Sequence, residues 1–457
     1  MKYKISKNNF YPCLITTSLI AWLLFSDDIG LSQNLYLYYV LQLITFIFFL
    51  FRRENKLRVI DFLLPSNFVL IYLFFGLILG SYSLPRYEAL YGMSDEFGQF
   101  QFLKQQTIYF LLANLTIYLS FNKEKYEELT TVNVHEKAPN KMKLLFAGIL
   151  FVATMFFKIN LGFLGGSDGE WNYPFVLFAF IILVIQLRSL GIFRIPIYAF
   201  LILILISQFY HSKREILFAI IALLLVELGL SKRLIRLSTK NILYSIGGVL
   251  ILIFIILSSS ILRGYGNFGN VNTFQSFYLI TDYVNNPKII ALLLNNFEIS
   301  YSFFHSSNSL EYFYKGKIPL LWGETIIKPL FLPFPREVIG FKPNSMVDIY
   351  TTSYDNNFRA SGGSFPITFT SEVFLNFWYF GLIFLFFFFR ILNKFCLESL
   401  INLRLGKQDF FLTFQLFLLV TIIQFVRGGG LELWLIYPLV GSIAGIIFFL
   451  PKILNVK

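Results

Sequence analysis

NILYSIGGVLILIFIILSSSIL, from Asn241 to Leu262, and TFTSEVFLNFWYFGLIFLFFFF, from Thr368 to Phe389, decide the fold. The first carries no charge and the second only Glu372. Each is long enough for the about 20 apolar residues that a helix needs to cross a hydrocarbon core. The stretch between them is crowded with Tyr, Asn, Ser, Pro and charged residues. Its irregular backbone would go unsatisfied in lipid, so it is expected to form one large extracytoplasmic loop.

Similar apolar runs recur outward from this pair. Before it they fall near 9–25, 35–51, 62–80, 105–121, 144–160, 174–190, 195–211 and 216–230, and after it near 409–426 and 432–450. With 56% hydrophobic residues, 57 Phe and a mean hydropathy of +0.66, the chain reads as an all-α polytopic membrane protein. The expected fold has about 12 transmembrane helices, with the loop between helices 9 and 10. Residues 1–262 are expected to hold helices 1–9, 263–367 the loop and 368–457 helices 10–12, in a single integral membrane domain.

The formal charge of +12 would suggest a nucleic-acid partner in a soluble protein, but here it has a topological cause. With the N-terminus placed inside, roughly two thirds of the 38 Lys and Arg fall in inner segments, the positive-inside pattern. RRENKLR (52–58) and SKRLIRLSTK (231–240) are flanks of that kind, and no nucleic acid is expected. Both termini are then cytoplasmic. Lys2, Lys4 and Lys7 precede the first run and no small-residue cleavage pattern follows it, so an uncleaved signal anchor is expected. Cys13 and Cys396 fall towards the inner side, where no disulfide is expected.

Some cations break the inside rule. Lys213 and Arg214 sit in the turn HSKRE (211–215), Arg263 lies just beyond the ninth run, and Arg427 begins RGGGLE (427–432). All are at expected outer helix ends. Two readings stand: long basic side chains reaching lipid phosphates, or a shared anionic ligand at that depth. The planar fork of arginine suits phosphate oxygens. Gly428, Gly429 and Gly430 can expose successive backbone N–H groups to an anion, or can simply make a flexible hairpin.

Other chemistry is absent. There is no Walker loop, and His135, His211 and His305 are the only histidines, with no Cys/His cluster for zinc. No carboxylate cage for a divalent metal stands out, so neither metal nor cofactor is expected. In the loop, Tyr265, Tyr278, Tyr283, Tyr301, Tyr312, Tyr314, Trp322, Tyr350 and Tyr354 alternate with Asn residues. Such a set suits sugar faces, or the aromatic belt of any membrane protein. PKIIALLLNNFEIS (287–300) is too short to span and reads as interfacial or re-entrant.

LFLPFPREVIGFKPNS, then GGSFPITFTSEVFLNFWYFGLIF, and finally FVRGGGLELWLIYP resemble segments of the Wzy family, the oligosaccharide repeat-unit polymerases of O-antigen and capsule assembly. The matching positions are Pro335–Arg336, Lys342–Pro343, Gly362 to Ser364, Glu372 with Asn376 and Phe377, and Arg427–Gly428, with Ser212 and Arg214 upstream. The likeness covers the C-terminal half well and the N-terminal half in topology only. Some members also carry an arginine with a glycine eleven positions on; here Leu225 and Phe274 stand at that spacing from Arg214 and Arg263.

The resemblance implies a metal-independent glycosyltransferase, similar to GT-C-type lipid-linked enzymes, in the bacterial inner membrane with its site facing the periplasm. Donor and acceptor would both be undecaprenyl-diphosphate-linked oligosaccharides. Membrane lipids and a Wzz-type chain-length regulator would be its partners. Arg214, Arg263, Arg427, Lys213, Gly428 and Gly429 would then hold diphosphate. Arg336, Lys342, Arg359 and Tyr265 would meet substrate in the loop. His305 or Glu372 would take or orient the acceptor proton; the structural alternatives are a loop histidine bonded to backbone and a carboxylate bonded to the Gly/Ser step. An O-antigen ligase-like transferase and a lipid-linked oligosaccharide flippase remain as alternative functions.

Overall fold

The computed structural model describes residues 7–26, 28–54, 59–86, 93–121, 131–135, 137–157, 172–209, 213–230, 298–331 and 340–454, with single positions at 129, 247, 248, 250, 254, 285 and 334. Among these the secondary structure is helical, without a strand. The long helices are α1 (Lys7–Phe25), α2 (Asp28–Glu54), α3 (Pro65–Ser83), α4 (Leu103–Leu119), α5 (Lys141–Phe156), α6 (Asn172–Leu187), α7 (Arg194–Phe209) and α8 (Lys213–Leu230). Within the loop region lie α9 (Ile299–Tyr314), α10 (Glu324–Ile327), α11 (Met346–Tyr354) and α12 (Asn356–Ala360). The chain closes with α13 (Phe369–Phe377), α14 (Gly381–Arg404), α15 (Phe410–Val420) and α16 (Gly430–Leu454).

Among the described residues the apolar runs lie largely on helix; 241–262 falls largely outside the described residues. Five stretches among the described residues are long and apolar enough to cross a membrane: Gly30–Phe49, Pro65–Ser83, Asn172–Ser207, Phe369–Arg404 and Phe410–Arg427. The protein is an α-helical membrane protein.

Two of those stretches are 36 residues each. A straight helix of that length would be about 54 Å, well beyond a core of about 30 Å. Both are broken by a short 3₁₀ turn. At Arg188–Phe193 the break is at Gly191, whose φ of 59° suits a residue without Cβ. At Trp378–Phe380 the break falls on Trp378, φ 50°, where a bulky residue is held in a sparsely populated conformation.

Packing sorts the helices into two cores. One joins α1–α4 with α9, α11, α13 and the start of α14. The other joins α5–α8 with the C-terminal half of α14 and with α15. All 16 residues of α6 are buried, as expected for a helix that is apolar all round. It packs against α5, α8, α15 and α16 and is the axis of the second core. Side-chain caps start several helices: Asn140 for α5, Asp409 for α15, Asp355 for α12, and a Ser345–Asp348 capping box for α11.

The described part of the loop, α9–α12, forms a cap at one end of the bundle. Ser300 Oγ lies 2.5 Å from Ser83 Oγ at the end of α3. Glu311 accepts hydrogen bonds from the backbone N–H groups of Gln101 and Phe102 (3.0 and 3.1 Å), just before α4. A carboxylate there satisfies donors that an α-helix leaves open. Gly80 allows the Phe303 ring to lie directly on α3, where a Cβ would collide with it.

At the opposite end two arginines are fully buried. Arg404 donates from Nε to Gly229 O (2.8 Å) and from Nη1 to Leu129 O. Arg188 donates to Leu403 O (2.8 Å) and His135 O (3.0 Å). Gly229 and Leu403 are in the last turns of α8 and α14, where carbonyls lack intrahelical partners and the helix dipole favours a cation. These arginines lock α6, α8 and α14 together with Leu129 and His135.

Candidate functional site

The site grows from two irregular pieces of backbone. Before α10, Trp322 (φ 51°) and Gly323 (φ 88°) turn the chain sharply, and Leu321 N donates to Leu375 O (3.0 Å). A Cβ on Gly323 would meet the Phe377 ring at 3.2 Å, so a glycine lets α10 dock on α13. Between α15 and α16, Phe425–Gly429 forms one π-helical turn, a feature that widens a helix and often marks a functional site. Gly430 follows with φ 67° and ψ 172° and restarts the helix.

These turns gather a polar cluster. Thr325 Oγ1 donates to Glu372 Oε1 (2.8 Å). Asn376 Nδ2 donates to Thr325 Oγ1 and to Glu372 O, each at 2.8 Å, and its Oδ1 accepts from Thr325 N at 3.3 Å. Glu372 is therefore held in one orientation on the first turn of α13. Gly430 approaches it from the other side, with its Cβ position 3.6 Å from Glu372 Oε2. Lys328, next along the chain from α10, binds Glu432 of α16 at 2.5 Å. At the π turn, Arg427 pairs through Nη2 with Glu298, which precedes α9 and has a left-handed φ of 55°.

Exposure separates the members. Glu372 is buried at 3% and Lys328 at 6%. The side chains of Arg427 and Glu298 keep 38% and 34% exposure, so that pair is within reach of a ligand. The cluster holds two cations and three carboxylates, and every cation in it already has an acidic partner.

The sequence-predicted residues are distributed unevenly. Glu372 and Arg427 are brought to this one region. Arg263, Tyr265 and Arg336 lie outside the described residues. Lys213 and Arg214 begin α8, but their side chains are outside the description, and so is the convergence expected of Arg214, Arg263 and Arg427. The glycine nest is corrected in part: Gly428 and Gly429 belong to the π turn and only Gly430 of the three has positive φ. Lys342 is on the cap surface, donating to Phe334 O (3.0 Å). Arg359 binds Asp348 (2.5 Å) and Gly363 O (3.2 Å), tying α11 to the 361–364 turn rather than opening towards the cluster.

His305 occupies a separate, closed setting. Its ring is fully buried, stacked on Phe365 at 4.3 Å, with Tyr301, Phe304, Tyr350 and Tyr354 around it. Nδ1 is 2.7 Å from Tyr350 Oη, which also accepts from Asn308 Nδ2 at 3.0 Å. Nε2 has no hydrogen-bond partner among the described residues. Burial lowers the ring's pKa to about 3, well away from the near-neutral value expected of a loop histidine. Several loop tyrosines expected to offer sugar faces serve as the inner packing of the cap, because a helical cap of this size needs its own apolar core. Of the described members of that set, Trp322, 81% exposed, is the most open.

Sequence reasoning missed Glu298, Thr325, Lys328 and Glu432. The signal for Glu432 was in RGGGLE itself, where an acid follows the arginine across the glycines. No three His, Cys, Asp or Glu group capable of holding a metal ion occurs among the described residues. Comparison with family models, with curated proteins and with solved structures finds no match for this chain.

Proposed function

We propose that the protein is a repeat-unit polymerase: a membrane glycosyltransferase that moves a growing glycan from undecaprenyl diphosphate onto a lipid-linked repeat unit. The observation that carries this reading is Arg427. It sits half-exposed on a π turn, held by a carboxylate, beside an oriented glutamate and under a cap built from the large loop. The Wzy-like segments of the sequence, which include Arg427, Glu372 and Asn376, support it.

In this reading the donor diphosphate displaces Glu298 from Arg427. The guanidinium offers paired donors to phosphate oxygens and stabilises charge that develops as the diphosphate leaves. Glu372, held by Thr325 and Asn376, accepts the proton of the acceptor hydroxyl. The hydroxyl oxygen bonds to the anomeric carbon as the bond from that carbon to the diphosphate oxygen breaks. The proton rests on the carboxylate, and undecaprenyl diphosphate departs with the electron pair. His305 stays a positioning residue, joining α9 to α11 through Tyr350. The site faces the periplasm from the inner membrane, and the fold belongs with the GT-C-like transferases of about 12 spans.

The lipopolysaccharide ladder of a deletion strain tests the reading. Loss of this polymerase leaves core carrying one repeat unit. A core with no repeat unit at all would instead mark a ligase or flippase. Purified protein should extend lipid-linked repeats in excess EDTA; activity that stops and returns with magnesium would contradict the metal-free step.

A further inference from the structure

At the end of the bundle opposite the cap, residues 137–143 and the turn 407–409 line an open, solvent-facing cavity of about 530 Å³. Lys137, Lys143 and Lys407 line it, together with Asn140, Gln408 and Asp409. A volume of this order lies within the about 300–1,000 Å³ typical of small-ligand sites. α15 runs from this cavity towards the π turn, so the two sites lie at opposite ends of one helix.

Four observations give the cavity a sign. The Lys143 ammonium donates to Gln408 O, which fixes it at the wall. Lys137 and Lys407 have no carboxylate partner among the described residues. Asp409, the one acid among the described lining residues, accepts from Leu412 N at 2.8 Å as the cap of α15. Gln408 Nε2 is buried and meets no acceptor among the described residues, leaving a donor that an oxyanion would satisfy. The first turns of α5 and α15 also open here, adding backbone N–H groups and positive dipole ends.

A topological signal needs only basic residues near helix ends. It does not need Lys137 and Lys407 placed on one cavity beside the Lys143 ammonium, where like charges repel unless an anion joins them. Nor do Lys137 and Lys407, both exposed, hold the interior: Arg188 and Arg404 already do that.

We propose that this cavity binds a phosphate-bearing anion, either the headgroup of an anionic phospholipid or a soluble phosphate, independently of the reaction at the cap end. The test uses the full chain purified in detergent. Native mass spectrometry would compare phosphatidylglycerol with phosphatidylethanolamine, and inorganic phosphate would be added as competitor. The variants are Lys137→Ala with Lys407→Ala, the milder Lys137→Gln with Lys407→Gln, and Lys394→Ala as an exposed control on α14.

The expected result is phosphatidylglycerol retained about tenfold more tightly than phosphatidylethanolamine, with that preference lost in both double variants and kept in the control. Displacement by millimolar phosphate would assign a soluble ligand; retention would assign the lipid headgroup. Equal binding of both lipids, with no phosphate binding, would overturn the proposal. So would unchanged binding in folded Lys137→Gln, Lys407→Gln protein.

Discussion

Arg404 and Arg427 are both arginines near helix ends, and the fold treats them in opposite ways. Arg404 is wholly buried and bonded to the carbonyls of Gly229 and Leu129. Arg427 is 38% exposed and bonded to a carboxylate on a separate segment. Backbone carbonyls at helix C-termini are fixed parts of the scaffold, so a cation bound to them cannot be released without opening the bundle. A carboxylate on a turn can be replaced by another anion at small structural cost. The difference separates cations that build the protein from cations that could serve a ligand, a distinction charge counting alone does not make.

The largest effect should come from breaking the buried member. Arg404→Ala leaves two carbonyls without donors and a cavity behind. Each unmet buried group costs about 1–3 kcal/mol, so a total loss of about 3 kcal/mol or more is expected. Size-exclusion chromatography should show little folded protein, and Arg404→Lys should recover only part of it. A normal melting temperature for Arg404→Ala would remove the contrast with Arg427.

Glu372→Gln sharpens the other side. The amide oxygen can still accept from Thr325, so the melting temperature should change little. Loss of the proton acceptor should slow polymerisation by about 10²–10⁴-fold. A large fall in stability with full specific activity would make Glu372 a structural residue like Arg404.

His305 provides a pH test of the cap. Its folded pKa is lowered to about 3 from 6.5, so the unfolded chain binds more protons between those values. Stability from this group is fully present above about pH 6.5 and falls as pH drops towards 3. Between pH 6.5 and 4 the loss should be about 3 kcal/mol, at about 1.4 kcal/mol per unit. Thermal melts of wild type and His305→Gln should diverge above pH 6 and converge near pH 4. Parallel curves would show that His305 does not carry this pH dependence.

Much of the scaffold was legible in the sequence. Apolar runs such as 62–80, 216–230 and 432–450 fall on helices because lipid and core both demand satisfied backbone and apolar side chains. The breaks were less legible. Gly191 could be suspected, but nothing local marks Trp378 as a left-handed turn inside FLNFWYFGLIF. In the site, Glu372 and Arg427 stood out as charges where charge is costly. Their partners did not, because Glu298, Thr325 and Lys328 sit on a loop whose path depends on tertiary docking. His305 was read by its ordinary pKa, and only the packing of Phe365 and Tyr350 changes that. Asn357 on α12 is exposed, so accessibility labelling of Asn357→Cys from outside the cell tests which side the cap faces.

The exchange of anions at Arg427 is the central claim, and polymerisation by the purified protein tests it most directly. Wild type, Arg427→Ala and Arg427→Lys would be given the same lipid-linked repeat unit, with chain length and initial rate read against melting temperature. Loss of a charged hydrogen bond to the leaving group should cost about 2–4 kcal/mol, or roughly 30- to 1000-fold in rate, for the alanine variant. Lysine should keep part of the activity, since it retains charge without the planar fork. Arg427→Ala protein that is folded and still builds full-length chains at the wild-type rate would contradict the account.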